Sequence, residues 1–314
     1  MKRIDVSEAA QILKENDRFV IVTHVNPDGD TLGSAFGLMR ALKKLGKSAK
    51  VVNEKPIPKD FGFITAAGDE FEGDETIVAV DIADSKLMGA LENEYKDRTL
   101  LCIDHHGSNT GYAQNLLLES SAAAACEIIF KVIKELGVEI DSDMATALYT
   151  GISTDTGCFR YSNVTADTHI YAAQLIEKGA EHVKSDTLMF ETKTMSYFML
   201  QKMALEKMEV LFDGRVAIVT LTRKMFEESG ADENCADAIK AIPRQIEGVL
   251  IGITIREDEE AIHVSFRTHA PYDASEICRR FGGGGHARAA GCEFRLGDSD
   301  VKKKLTEVLE EYFR

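Results

Sequence analysis

Three apolar runs of strand length, at 18–23, 76–80 and 99–103, carry no polar alternation. That is the pattern of strands covered on both faces in a parallel sheet. Helical periodicity fills the gaps. Residues 31–45 place Leu32, Ala35, Phe36, Met39, Leu42 and Leu45 on one stripe, with Gly46 as the stop. A short amphipathic helix is expected at 7–16 and another at 122–136, closed by Gly137. A third starts at Asp141-Ser142-Asp143, which offers N-caps, and runs through Met144, Leu148 and Ile152. Residues 166–207 contain no Pro and read as almost wholly helical. From 208 the texture changes to strand runs at 209–212, 215–221, 247–255 and 261–267, then a glycine-rich loop at 282–285 and a charged helix at 299–313. The chain is therefore expected to be α/β: a parallel-sheet domain with flanking helices over 1–190, a linker helix over 191–208, and a smaller mixed α/β domain over 209–314.

A length of 314 residues is too much for one compact core and suits two domains. The formal charge of −15 changes the functional picture. Proteins that grip long nucleic acid usually carry a basic field, whereas this chain as a whole repels a polyanion. An anionic partner must be small, or be drawn by a local positive centre such as a bound metal. The lack of Trp and the 7% aromatic content argue the same way, against an extended base-stacking platform. The six Cys (102, 126, 158, 235, 278, 292) show no CxxC spacing and read as free thiols of a reducing compartment. No apolar leader and no run approaching membrane-spanning length is present, so a cytoplasmic protein without membrane contact is expected.

The candidate chemistry lies where the buried strands end. The first run leads into His24, followed by Val25-Asn26-Pro27-Asp28-Gly29-Asp30. The second leads into Asp81, with Asp84 close behind, and the third into Asp104-His105-His106. Strand C-termini of an open parallel sheet converge on one edge, where ligands bind. Carboxylates gathered that closely would repel and protonate unless cations neutralised them. Mixed His/Asp donors suit a transition metal such as Mn2+ better than Mg2+. Each piece alone also fits a structural role: Asp28-Gly29 a turn, Asp30 and Asp81 helix caps. Adjacent histidines are rarer, with roughly 0.2 such pairs expected by chance at this composition. Asp155, in Gly151-Ile152-Ser153-Thr154-Asp155-Thr156-Gly157, would face the negative end of its helix dipole, a conflict that a cation removes. It could equally belong to the following turn.

The set His24-x3-Asp28-x-Asp30, Asp81, Asp104-His105-His106 and Asp155 resembles the four motifs of DHH phosphoesterases. Gly282-Gly283-Gly284-Gly285-His286 resembles the glycine-rich motif of the associated DHHA1 domain. The resemblance runs from about 18 to 310, and length and domain order look like the nanoRNase/pAp phosphatase branch. It implies two divalent cations, Mn2+ by preference, in a cleft between the domains. His24, Asp28 and Asp81 would hold one; Asp30, Asp81, His105 and Asp155 the other, with Asp81 bridging. His106 would face the substrate phosphate, Asp104 would orient a ligand, and Asp81, Asp104 and His106 are the expected catalytic group. The reaction implied is attack of a two-metal-activated hydroxide on pAp or a short oligoribonucleotide.

Residues 262–295 hold five Arg against three acids, a locally basic stretch. Gly283, Gly284 and Gly285 could present amides to an anion. His286, Arg288 and Arg267 are the expected phosphate contacts, while Arg279 and Arg280 read as a solvated helix face. Cleavage of cyclic dinucleotides or their linear products, a RecJ-like exonuclease, a pyrophosphatase and a non-catalytic nucleotide sensor remain as alternatives, and a homodimer is left open.

Overall fold

Six short strands in the first part of the chain form one all-parallel sheet. In the computed structural model, which describes residues 1–313, they are β1 (Lys2–Arg3), β2 (Phe19–Val22), β3 (Ala49–Val52), β4 (Thr76–Val80), β5 (Thr99–Asp104) and β6 (Asn115–Leu118). The order across the sheet is β1-β6-β5-β4-β2-β3. The helices of this unit are α1 (Val6–Glu15), α2 (Gly29–Lys44), α3 (Glu92–Tyr95), α4 (Ala125–Glu135), α5 (Ser142–Asp155), α6 (Ala166–Glu177) and α7 (His182–Asp186). The chain divides into two units, Met1–Thr192 and Lys193–Arg314.

The unalternating strand runs have the cause expected of them. Phe19, Ile21, Val78, Val80, Leu101 and Ile103 pack into one buried cluster with α1, α2, α4 and α5. Their neighbours Val20, Val22, Ile77, Ala79 and Cys102 pack into another, with Ile82, Met88 and Tyr95. Successive side chains go to opposite faces, and both faces are covered. Helix boundaries follow cap chemistry. Asp28 accepts the amides of Asp30 and Thr31 at the head of α2, and Asp141 accepts that of Met144 at the head of α5. Two glycines let α2, α4 and α5 draw together. A Cβ on Gly33 would lie 2.3 Å from the Ala147 carbonyl oxygen, and one on Gly151 would lie 2.2 Å from Cys126 Sγ and 3.0 Å from an Asp30 carboxylate oxygen. This close approach brings Asp30, at the start of α2, beside the end of α5.

Residues 166–207 are less continuous than their composition implies. Gly179, at φ 90°, ends α6, a π-helical turn spans Thr187–Glu191, and Thr194 caps a new helix, α8 (Met195–Glu206). That helix packs through Leu200 and Ala204 against Val219, Leu221 and Met225 of the second unit.

The second unit has β7 (Glu209–Leu211), β8 (Val216–Leu221), β9 (Ile251–Glu257), β10 (Ala261–Thr268), β11 (Gly284–His286) and β12 (Ala289–Arg295). Its helices after α8 are α9 (Arg223–Ser229), α10 (Glu233–Ile239), α11 (Ala274–Arg279) and α12 (Val301–Phe313). The sheet order is β11-β12-β10-β9-β8-β7, with β8 and β9 parallel and the remaining pairs antiparallel. Ile262, Val264 and Phe266 of β10 alternate into a core with α11 and α12. The glycine-rich stretch is a shorter loop than expected, because Gly284–His286 is an edge strand on β12. A Cβ on Gly285 would lie 2.6 Å from the Ala290 Cα, so glycine alone permits this pairing distance. Among the described residues no helix is long and apolar enough to cross a membrane.

Candidate metal centre

Strand order positions the site. β5, β4 and β2 are adjacent in that sequence, so Asp81, after β4, stands between His24, after β2, and His105, after β5. The Asp81 backbone sits at φ 58°, a left-handed conformation costly for a non-glycine residue, and its N–H bonds the Ile103 carbonyl at 2.9 Å. The turn aims its carboxylate into two groups of donors. One oxygen lies 3.8 Å from His24 Nε2, which is itself 3.7 Å from an Asp28 oxygen. The other lies 3.5 Å from His105 Nε2, which is 3.8 Å from Asp30 and 3.7 Å from Asp155. His24, Asp28 and Asp81 thus form one set with donor atoms within 4.8 Å of one another, and Asp30, His105 and Asp155 form a second. All six expected ligands come together.

The electrostatics are those of a site built for cations. Asp81 is 3% exposed, and its Oδ1 has no hydrogen-bond partner, an orphaned buried carboxyl oxygen. Burial, then the charges of Asp30, Asp28, Asp104 and Asp155, push its carboxyl well above the ordinary range. Burial and the charge of Asp28 raise Asp30 to about 6, although the amides of Ala125 and Cys126 at 2.6 and 2.9 Å favour its charged form. Burial and Asp30 raise Asp155 to about 7, against the pull of His105. Three carboxylates that would resist ionising together, one without a donor, fit divalent cations by the chemistry of the donor set.

Asp104 does something different. Fully buried, it accepts the amide of His105 at 2.8 Å, His106 Nδ1 at 2.8 Å and Asn109 Nδ2 at 2.6 Å. Burial works to raise its carboxyl, but the bonds from His106 and Asn109 outweigh this and hold it below the usual range. In return the Asp104 bond raises the His106 pKa. The resemblance gives Asp104 the orienting of a ligand; its ring partner here is His106, while His105 Nδ1 meets the Ala122 carbonyl at 3.2 Å. Asn109, not singled out from sequence, has no motif of its own and becomes visible only through this contact.

In the second unit, Arg267 on β10 and His286 on β11 both stand opposite Ala289 of β12, so their side chains share one face of that sheet. Gly283 and Gly284 precede His286 on the same edge. The Arg288 guanidinium donates to the Tyr272 carbonyl. Arg280 forms a two-pronged pair with Glu311 at 2.7 and 2.8 Å, and Arg279 bonds Ser275 of its own helix, consistent with a solvated face for both.

A parallel sheet that delivers His24, Asp81 and Asp104-His105-His106 from its strand ends, followed by a mixed-sheet unit with a glycine-rich edge, matches two family models. The DHH family N-terminal domain covers residues 18–152 and the DHHA1 domain covers 213–314. The chain belongs to the DHH/DHHA1 family of phosphoesterases. It is 34% identical over 97% of its length to the bifunctional oligoribonuclease and PAP phosphatase NrnA of Thermus thermophilus, covering 94% of that protein. It is 25% identical over 93% of its length to the NrnA of Bacillus subtilis, again covering 94%. An exopolyphosphatase-related protein from Bacteroides fragilis has the same fold at TM-score 0.87 and 24% identity, with 98% of this chain and 96% of that one aligned.

Proposed function

We propose that this protein hydrolyses short oligoribonucleotides exonucleolytically and removes a phosphate from pAp, using two divalent cations, Mn2+ by preference. The observation that carries this reading is the shared Asp81 carboxylate, one oxygen toward His24 and the other toward His105. His24, Asp28 and Asp81 would hold one cation, and Asp30, Asp81, His105 and Asp155 the other. Bound there, such cations lower the pKa of water and neutralise charge on phosphoryl oxygens. The NrnA relatives, similar along nearly the whole chain, support the substrate class.

The chain's own residues account for the rest of the chemistry. Asp104 fixes the Nδ1 edge of His106 and keeps the ring protonated to higher pH. The opposite edge, Nε2–H, can then donate to a phosphoryl oxygen or to the departing oxygen. Asn109 holds Asp104 from its other oxygen, so the imidazole is oriented before substrate arrives. Arg267 and His286, with the amides of Gly283, Gly284 and Gly285, are the residues we assign to substrate phosphate. Arg288 belongs to the same assignment more weakly, since its guanidinium already serves Tyr272.

Steady-state kinetics in Mn2+ on pAp, on di- to pentanucleotides and on a strand of roughly 50 nucleotides test the reading, given that the net charge of −15 disfavours long polyanions. The short substrates should be preferred. A preference for the long strand would overturn the substrate assignment.

A further inference from the structure

The segment after Asp155 is built at a conformational cost that the metal set does not explain. Gly157, Cys158 and Phe159 have φ of 56°, 57° and 60°, three consecutive left-handed residues of which only the first is glycine. Packing and hydrogen bonds hold them there. The Phe159 ring stacks on His169 at 5.4 Å and lies 6.0 Å from that of Tyr149. The Cys158 amide donates to the Ser153 carbonyl at 2.7 Å. Asn163 Nδ2 then closes the loop, donating to the Asp155 carbonyl at 3.1 Å and to the Ala123 carbonyl at 3.0 Å.

This left-handed turn sends Arg160 and Tyr161 outward beside the last turn of α5. Arg160 Nε donates to the Gly157 carbonyl at 2.6 Å, and its guanidinium carbon lies 5.8 Å from the centre of the Phe190 ring. The Tyr161 ring rests on Gly157 so closely that a Cβ there would lie 2.3 Å from its Cζ, yet the residue is 56% exposed. An aromatic ring and a guanidinium are therefore both fixed on one glycine, two residues beyond Asp155. The Cζ, Cε1 and Cε2 end of the ring is backed by Gly157, and more than half of the residue is left to solvent. An aromatic face takes a base by stacking, and a guanidinium takes a phosphate. On a chain of net charge −15, a cation held by the Gly157 carbonyl and the Phe190 ring is a selective place for an anion.

We propose that Arg160 and Tyr161 form a nucleotide subsite in which Tyr161 stacks on a nucleobase and Arg160 meets the phosphate of the same nucleotide. The subsite rests on the phosphoesterase reading and names what that site recognises beyond the reacting phosphate. The test compares kcat/KM for pAp with that for abasic ribose 3,5-bisphosphate in wild type, Tyr161→Ala and Tyr161→Phe, each loaded with Mn2+. Wild type and Tyr161→Phe should prefer pAp, and Tyr161→Ala should lose roughly 5–50-fold of that preference. Arg160→Met should raise KM for both compounds. In parallel, AMP is titrated into the metal-free protein and followed by NMR. Its affinity should fall in Tyr161→Ala and hold in Tyr161→Phe. An unchanged preference for pAp in Tyr161→Ala, or unchanged AMP binding, overturns the subsite. Absence of hydrolysis by the wild type would count against the phosphoesterase reading instead, and the AMP titration would still decide the subsite.

Discussion

Asp155→Asn should stabilise the metal-free protein while weakening its hold on metal. In the fold the Asp155 carboxyl keeps its proton to about 7, against an ordinary value of 3.8. A group with a raised folded-state pKa gives stability that is complete below its unfolded value and lost as pH climbs through the folded value. For Asp155 the loss runs from about pH 4 to about pH 7. The full gap corresponds to roughly 4 kcal/mol. The side chain is 31% exposed and shares its charge burden with Asp30, so solvent screening leaves about 1–3 kcal/mol. Asparagine keeps the shape and removes the charge. The experiment is urea denaturation in excess chelator, followed by far-ultraviolet circular dichroism from about pH 5 to about pH 8. Metal-free Asp155→Asn should be the more stable protein at the alkaline end, by about 1–3 kcal/mol, and the advantage should shrink toward acid. Saturating Mn2+ should reverse the order, because binding adds to the stability of the protein that binds better. A variant less stable than wild type at about pH 8 without metal, or a difference independent of pH, would refute the claim that carboxylate repulsion is stored at this site.

Three further outcomes follow from the same geometry. Asp81→Ala should abolish turnover and weaken both metals together in a calorimetric titration, since its two oxygens face both donor sets. Asp104→Asn removes the bond that raises His106, so the alkaline limb of the activity profile should move to lower pH, as read from kcat against pH. Arg267→Ala should raise KM for pAp with a smaller change in kcat, as expected of a residue that binds substrate phosphate rather than reacting groups.

The parts of the fold legible in sequence were those with a strong period. The runs at 76–80 and 99–103 became β4 and β5 because strands buried on both faces cannot tolerate polar alternation. Short elements were not legible. β1 has two residues, and β3 has a half-exposed pattern that resembles a loop. Residues 166–207 misled because composition registers the absence of Pro but not a left-handed Gly179 or a π-helical turn. The site was readable as a set of residue types at strand ends, and His24, Asp81 and His105 meet because β2, β4 and β5 are neighbours. Asn109 and Tyr161 were not readable. Their relevance depends on a 2.6 Å contact to a buried carboxylate and on a left-handed loop, and neither leaves a pattern in the chain. The glycine run suggested amides presented to an anion, whereas Gly285, at φ 139° and facing the Ala290 Cα, is also required for the tight edge pairing of β11 on β12.

Anomalous diffraction at the manganese edge, on crystals grown with Mn2+, tests the central claim most directly. Two peaks should flank the Asp81 carboxylate, one among His24 and Asp28 and the other among Asp30, His105 and Asp155. A single peak remote from Asp81, or none at saturating metal, would contradict it.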